Sequence, residues 1–74
     1  ILYDIPDASF VTITIYDLLG HQVRTLVSRY EEPGYKSIVW NATNNQGMPV
    51  SAGMYLYSIT ADEFRQTRKM LLLK

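Results

Sequence analysis

Along residues 10–20, FVTITIYDLLG, Val11, Ile13 and Ile15 fall on one parity and Thr12, Thr14 and Tyr16 on the other. A period of two in β-branched and aromatic residues predicts a half-buried strand and disfavours helix. The DLLG that follows has a side-chain acceptor at its first position and glycine at its last, which suits a type I turn or short hairpin loop. In HQVRTLVSRY, Val23, Leu26 and Val27 mix spacings of two and three, so a bulge or a single helical turn is expected within that strand. Pro33–Gly34 then signals a turn. YKSIVW re-enters with Lys36, Ile38 and Trp40 on one face and Tyr35, Ser37 and Val39 on the other. In GMYLYSITA, Met54 and Leu56 alternate with Tyr55, Tyr57 and Ile59, which predicts a central strand covered on both faces. ADEF turns the chain, and RQTRKMLLLK closes it with its most apolar run.

These signals recur every 8 to 12 residues or so and predict six strands, at 1–5, 10–17, 21–30, 35–41, 52–62 and 65–74. The expected fold class is all-β, an immunoglobulin-like antiparallel β-sandwich of six to seven strands. The seventh strand is expected just upstream of Ile1, and the chain, opening mid-strand without Met, reads as a fragment or processed piece of a larger protein. An unpaired sheet edge left in this way would permit strand exchange or a dimer.

Composition narrows the function classes. The 74 residues fit one domain, 1–74, whose core is only marginally sufficient. Seven basic and seven acidic side chains give a formal net charge of zero, which argues against nucleic acid or anionic membrane as an electrostatically driven partner. Without cysteine there is no disulfide, thiolate nucleophile or thiolate metal site. No apolar run reaches the roughly 20 residues that span a bilayer as a helix, and ILYDIPDASF lacks the regions of a signal peptide.

Candidate chemistry is sparse. His21, the single histidine, sits beside a turn with no nucleophile to activate. Glu31–Glu32 and Asp62–Glu63 read as solvated loop charges. In WNATNNQGMPV, Asn41, Asn44, Asn45 and Gln46 offer neutral oxygens but no carboxylate, so a calcium site is disfavoured and a turn expected. On that reading Trp40 ends a strand and plugs the core, Asn41 and Thr43 bond the loop backbone, and Asn44–Gly47 turn. Gly53 either lets two backbones approach or takes a conformation closed to other residues. Tyr16, Tyr35, Tyr55 and Tyr57 fit sheet packing better than a stacking platform for ligand. Arg65, Arg68 and Lys69 read as a solvated face or a guard on an edge strand. No catalytic residue, cofactor or metal is expected.

The order YDIP…VTITIYDLLGHQVRTL, PGYKSIVWNATNNQGMPVSAGMYLY and TRKMLLLK resembles, over the whole chain, the immunoglobulin-like domain related to the flagellar hook-capping protein. That domain is widespread as the type A sorting domain of type IX secretion cargo in the Bacteroidetes and related phyla. The residues carrying the resemblance are Gly20, Gly34, Trp40, Asn41, Gly47, Gly53, Tyr55 and the closing Lys69, Met70, Leu71, Leu72, Leu73 and Lys74. The resemblance implies a non-catalytic sorting domain, recognised by outer-membrane type IX components through its last strand and cleaved by a sortase-like peptidase. It implies passage through the periplasm and outer membrane to the medium or cell surface. It departs from the family in lacking the Asn-Pro-rich first strand, and WNATNNQGMPV stands closer to the hook-capping variant. The alternatives are a structural assembly or adhesion module of the hook-capping type and, third, a carbohydrate-binding module.

Overall fold

The computed structural model describes all 74 residues, Ile1–Lys74. Six strands form: β1 (Leu2–Ile5), β2 (Ser9–Tyr16), β3 (Gln22–Glu31), β4 (Gly34–Ser37), β5 (Gly53–Ala61) and β6 (Phe64–Leu72). They make a four-stranded antiparallel sheet in the order β3-β2-β5-β6 and a two-stranded antiparallel sheet, β1-β4. The fold is the expected all-β sandwich of immunoglobulin-like kind.

The core follows from the parity of β2. Val11, Ile13 and Ile15 are each fully buried. Val11 and Ile13 pack with Val27 of β3, with Ile59 and Ala61 of β5, and with Tyr3 and Ile5 from the opposite sheet. At roughly 1.5–3 kcal/mol for each fully buried aliphatic side chain, this cluster holds β1, and through its ladder β4, onto the larger sheet. β5 is interior to its sheet, as expected, but its two faces differ. Tyr55, Ile59 and Ala61 are buried, whereas Met54 on the other parity is 43% exposed.

The irregular spacing in β3 resolves into two register shifts. Ile13 faces Val27 and Thr14 faces Thr25, so Leu26 is extra. Ile15 faces Arg24 and Tyr16 faces Gln22, so Val23 is extra. Each extra residue reverses the parity of the strand. Val27 therefore points inward although Val23 and Leu26 keep another spacing, and no helical turn forms.

The β2–β3 turn is built on Asp17. Its Oδ1 accepts from the backbone N–H groups of Leu19 and His21, both at 2.9 Å, and the Gly20 N–H donates to the Asp17 carbonyl at 3.1 Å. These bonds, that from His21 first, hold the Asp17 carboxyl below the usual carboxylate range.

The fourth strand is shorter than the expected 35–41. β4 ends at Ser37, opposite Leu2, and Ile38 and Ile1 extend the pairing by one exchange of hydrogen bonds. Val39 and Trp40 lie outside the strand, and Val39 is 85% exposed. β6 likewise stops at Leu72 instead of continuing to 74.

Candidate recognition surface

β6 is an edge strand with no neighbour beyond it. Arg65, Arg68 and Lys69 are exposed along it. The closing residues Lys69–Lys74 do not form one surface, because strand parity divides them. Met70 and Leu72 face Tyr55 and Gly53 across the ladder and are half-buried, while Leu71 is 58% and Leu73 78% exposed. Lys74 is exposed, and its ammonium donates to the Val50 carbonyl, tying the end of the chain to the loop before β5.

That loop is a small hairpin. Thr43 bridges Pro49, Asn44 N–H donates to Met48 carbonyl at 2.9 Å, and Val50 N–H donates to Ala42 carbonyl at 3.0 Å. The tip is closed by Asn44, whose Oδ1 accepts from the N–H groups of Gln46 and Met48, each at 3.0 Å. Asn45 docks the hairpin on the edge of β3: its N–H donates to the Val23 carbonyl, and its Oδ1 accepts from the Thr25 N–H, both at 3.0 Å. Arg24 completes the dock, donating to Thr43 Oγ1 at 3.1 Å and to the Asn44 carbonyl at 2.8 Å. The asparagine oxygens of the tip thus serve backbone amides. The residues that bond the backbone are Asn44 and Asn45, not Asn41 and Thr43 as expected. Asn41 is exposed and accepts from the Thr43 hydroxyl at 2.6 Å.

Trp40 does not plug the core. It lies outside the strands, half-buried, with its ring edge-to-face on Tyr55 at 5.1 Å between centroids, and its Nε1–H donates to the Thr43 carbonyl at 2.9 Å. Tyr55 is buried and donates its hydroxyl to the Ser51 carbonyl at 2.6 Å. The pair fastens the hairpin to β5. The four motif glycines, Gly20, Gly34, Gly47 and Gly53, all have positive φ. At Gly53 the φ of 145° decides the residue, since a Cβ there would meet nothing within 4 Å. Conformation, not close approach, is the reason for glycine.

The expectation for Glu31 is overturned. It is buried, not a solvated loop charge, and closes β3 one residue beyond the expected boundary. Its Oε1 accepts from the Tyr3 hydroxyl at 2.8 Å, and its Oε2 accepts from Arg29 Nε and lies 3.1 Å from Arg29 Nη2. Burial, then the bond to Glu31, pushes the Tyr3 hydroxyl up to about 12. The signal was in the parity: counting by twos from Val27 brings Glu31 to the inner face. Glu32, Asp62 and Glu63 are exposed, and so is His21, whose Nδ1 lies 3.3 Å from Asp17 Oδ2.

Four of the six tyrosines pack, but Tyr35, expected to do so, is 91% exposed on the short strand β4. Tyr3 and Tyr55 are buried, Tyr16 and Tyr57 half-buried, and the two outward rings, Tyr30 and Tyr35, stand on different sheets. Trp40 with Tyr55, the one close aromatic pair, is edge-to-face and presents no stacking platform.

The hairpin docked on β3, the Trp40–Tyr55 pair and the positive-φ glycines all lie within the segment where the profile of a known family, the FlgD Ig-like domain, matches: residues 5–63. The chain belongs to that family. No curated protein and no solved structure matches it. The matched segment of this FlgD Ig-like domain takes in β2 to β5 entire and ends at Glu63, before β6 and the Lys69–Lys74 group.

Proposed function

We propose that this domain is a non-catalytic sorting signal, directing a bacterial cargo protein through the type IX secretion system across the outer membrane. The observation that carries the reading is β6, a strand with an unpaired edge and three exposed basic side chains. A receptor can add a strand of its own to such an edge, main-chain hydrogen bonds supplying affinity and alternate side chains specificity. The sorting group is Lys69, Met70, Leu71, Leu72, Leu73 and Lys74. The partners are the outer-membrane secretion components and a sortase-like peptidase, and the destination is the cell surface or medium. A reporter fused ahead of residues 1–74 should be exported by a host with this system. The same fusion ending at Arg68, shown by circular dichroism to fold, should stay in the periplasm; export of both would remove Lys69–Lys74 as the address.

A second reading, a structural assembly module of the hook-capping type, is favoured by the family match, which takes in β2 to β5 and leaves β6 out. It predicts equal behaviour of the full and shortened fusions, together with stable docking to a neighbouring domain or subunit.

A further inference from the structure

The two sheets are unequal, and the smaller one is open. Ile1 and Ile38 exchange both backbone hydrogen bonds at 2.9 Å. By the alternation of an antiparallel pair, the amides and carbonyls of Leu2 and Asp4 then point away from β4, toward the edge of β1 that has no neighbour. Beside that edge, between β1 and the β5–β6 hairpin, lies a groove of about 170 Å³ with Ile59, Ala61 and Phe64 in its lining. Asp4, Asp7 and Asp62 also line it and remain exposed. β6, an open edge of the larger sheet, bears Arg65, Arg68 and Lys69, and no acidic residue occurs from Phe64 to Lys74.

Symmetric pairing of either edge with itself is opposed by charge. Two antiparallel copies of β6 would bring together Arg65 and Lys69, which share one face of the strand, and two copies of β1 would do the same with Asp4; facing like charges destabilise a ladder. Of the pairings of β1 and β6, the unlike one joins acid to base.

We propose that β6 of a second copy adds to the free edge of β1, extending the two-stranded sheet and laying Arg65 and Lys69, which share one face of the strand, near Asp4, Asp7 and Asp62. The interface is heterologous, so copies join head to tail rather than as a closed pair. β1 is four residues long and offers few main-chain bonds, so the association is weak and depends on its charges. The inference goes beyond the sorting reading and does not rest on it. No secretion assay enters its test.

Sedimentation equilibrium on the whole chain tests it. The weight-average mass should rise with protein concentration at about 0.01 M salt, where the Debye length is about 30 Å, and fall back on adding about 0.5 M salt. Asp4→Lys/Asp7→Lys and Arg65→Glu/Lys69→Glu should each weaken self-association about tenfold or more, rim charges acting mainly through steering and fit. An equimolar mixture of the two should associate again, the basic β6 of the first meeting the acidic groove of the second. In the unmodified chain, amide NMR shifts should move on dilution at Leu2–Asp7 and Arg65–Leu71 together, a readout that needs no variant to fold. A chain monomeric at every concentration, association indifferent to the reversals, a mixture no better than its parts, or dilution shifts confined elsewhere would each overturn the proposal.

Discussion

The hydroxyl of Tyr3 donates a 2.8 Å hydrogen bond to Glu31 Oε1, joining β1 to the end of β3 across the sandwich and across 28 residues of chain. Since β1 belongs to a sheet of only two strands, its hold on the larger sheet depends on few side chains. Tyr3 contributes both its ring, in the core cluster, and this bond. Tyr3→Phe keeps the ring and leaves Glu31 buried with Arg29 alone. A bond to a charged group contributes roughly 1.5–3 kcal/mol, so unfolding in urea should show a loss of about that size with an unchanged m-value. Glu31→Gln, which keeps an acceptor for Tyr3, should lose less than Glu31→Ala. Equal stability of all four proteins would mean that the bond contributes nothing.

The same pair makes the fold sensitive to alkali. The Tyr3 hydroxyl ionises at about 12 in the folded chain against 10.0 for an unperturbed tyrosine. A group whose value is raised on folding contributes stability that is complete below its unfolded value and is lost as pH rises toward the folded one. The wild type should therefore lose about 1–2 kcal/mol, relative to Tyr3→Phe, between pH 10 and 12. Parallel urea titrations of the two proteins across that window measure it, and a constant difference between them would refute it.

At Gly53 the prediction concerns backbone alone. With φ at 145° and open space around a built Cβ, Gly53→Ala and Gly53→Ser should be destabilised by similar amounts, about 1–3 kcal/mol, whatever the size of the side chain. A cost that grows steeply with side-chain volume would point to a steric cause instead. Thermal unfolding of the two variants beside wild type separates the cases.

Asp17 supplies a second pH dependence, of opposite sign. Its carboxyl is held below the ordinary range chiefly by the backbone amide of His21, then by that of Leu19, so the turn's contribution is present above the unfolded value and lost as pH falls through the folded one. Asp17→Ala should lower the melting temperature at neutral pH, and the gap should close on acidification through the carboxylate range. A gap that persists in acid would assign the effect to turn propensity instead of charge.

The parts of this fold legible in the sequence are those written locally. The alternation of Val11, Ile13 and Ile15 needs no partner to be read, and DLLG carries its turn within four residues. The broken spacing of Val23, Leu26 and Val27 announces an irregularity, but only the pairing with β2 shows that there are two bulges and which residues are extra. The place of Trp40 is not legible in the alternation of Ile38 and Trp40, because its ring is held by Tyr55 and the Thr43 carbonyl and not by the ladder. Glu31 was misread because its neighbours Glu32 and Pro33 look like a loop, although parity from Val27 turns it inward. The basic group Arg65, Arg68 and Lys69 hints at an edge strand, but the open edge of β1 is a property of strand order that no local pattern encodes.

Asn45 gives the clearest test of what the polar hairpin does. β3 is an edge strand, and its bulged start would leave the Val23 carbonyl and Thr25 amide unpaired; the backbone and side chain of Asn45 serve both. Asn45→Ala removes the acceptor for Thr25 but not the donor to Val23, so the hairpin should remain docked through Arg24. The site is exposed, and water can replace the lost partner, so the global cost should stay near 0.5–1 kcal/mol, at the low end for a hydrogen bond. The local effect should be larger: hydrogen exchange at the Thr25 amide should accelerate well beyond what that change in global stability accounts for, while Val27 exchanges as before. Uniform acceleration along β3 would show the hairpin to be a general brace. No change at Thr25 would show that the edge is protected by something other than Asn45.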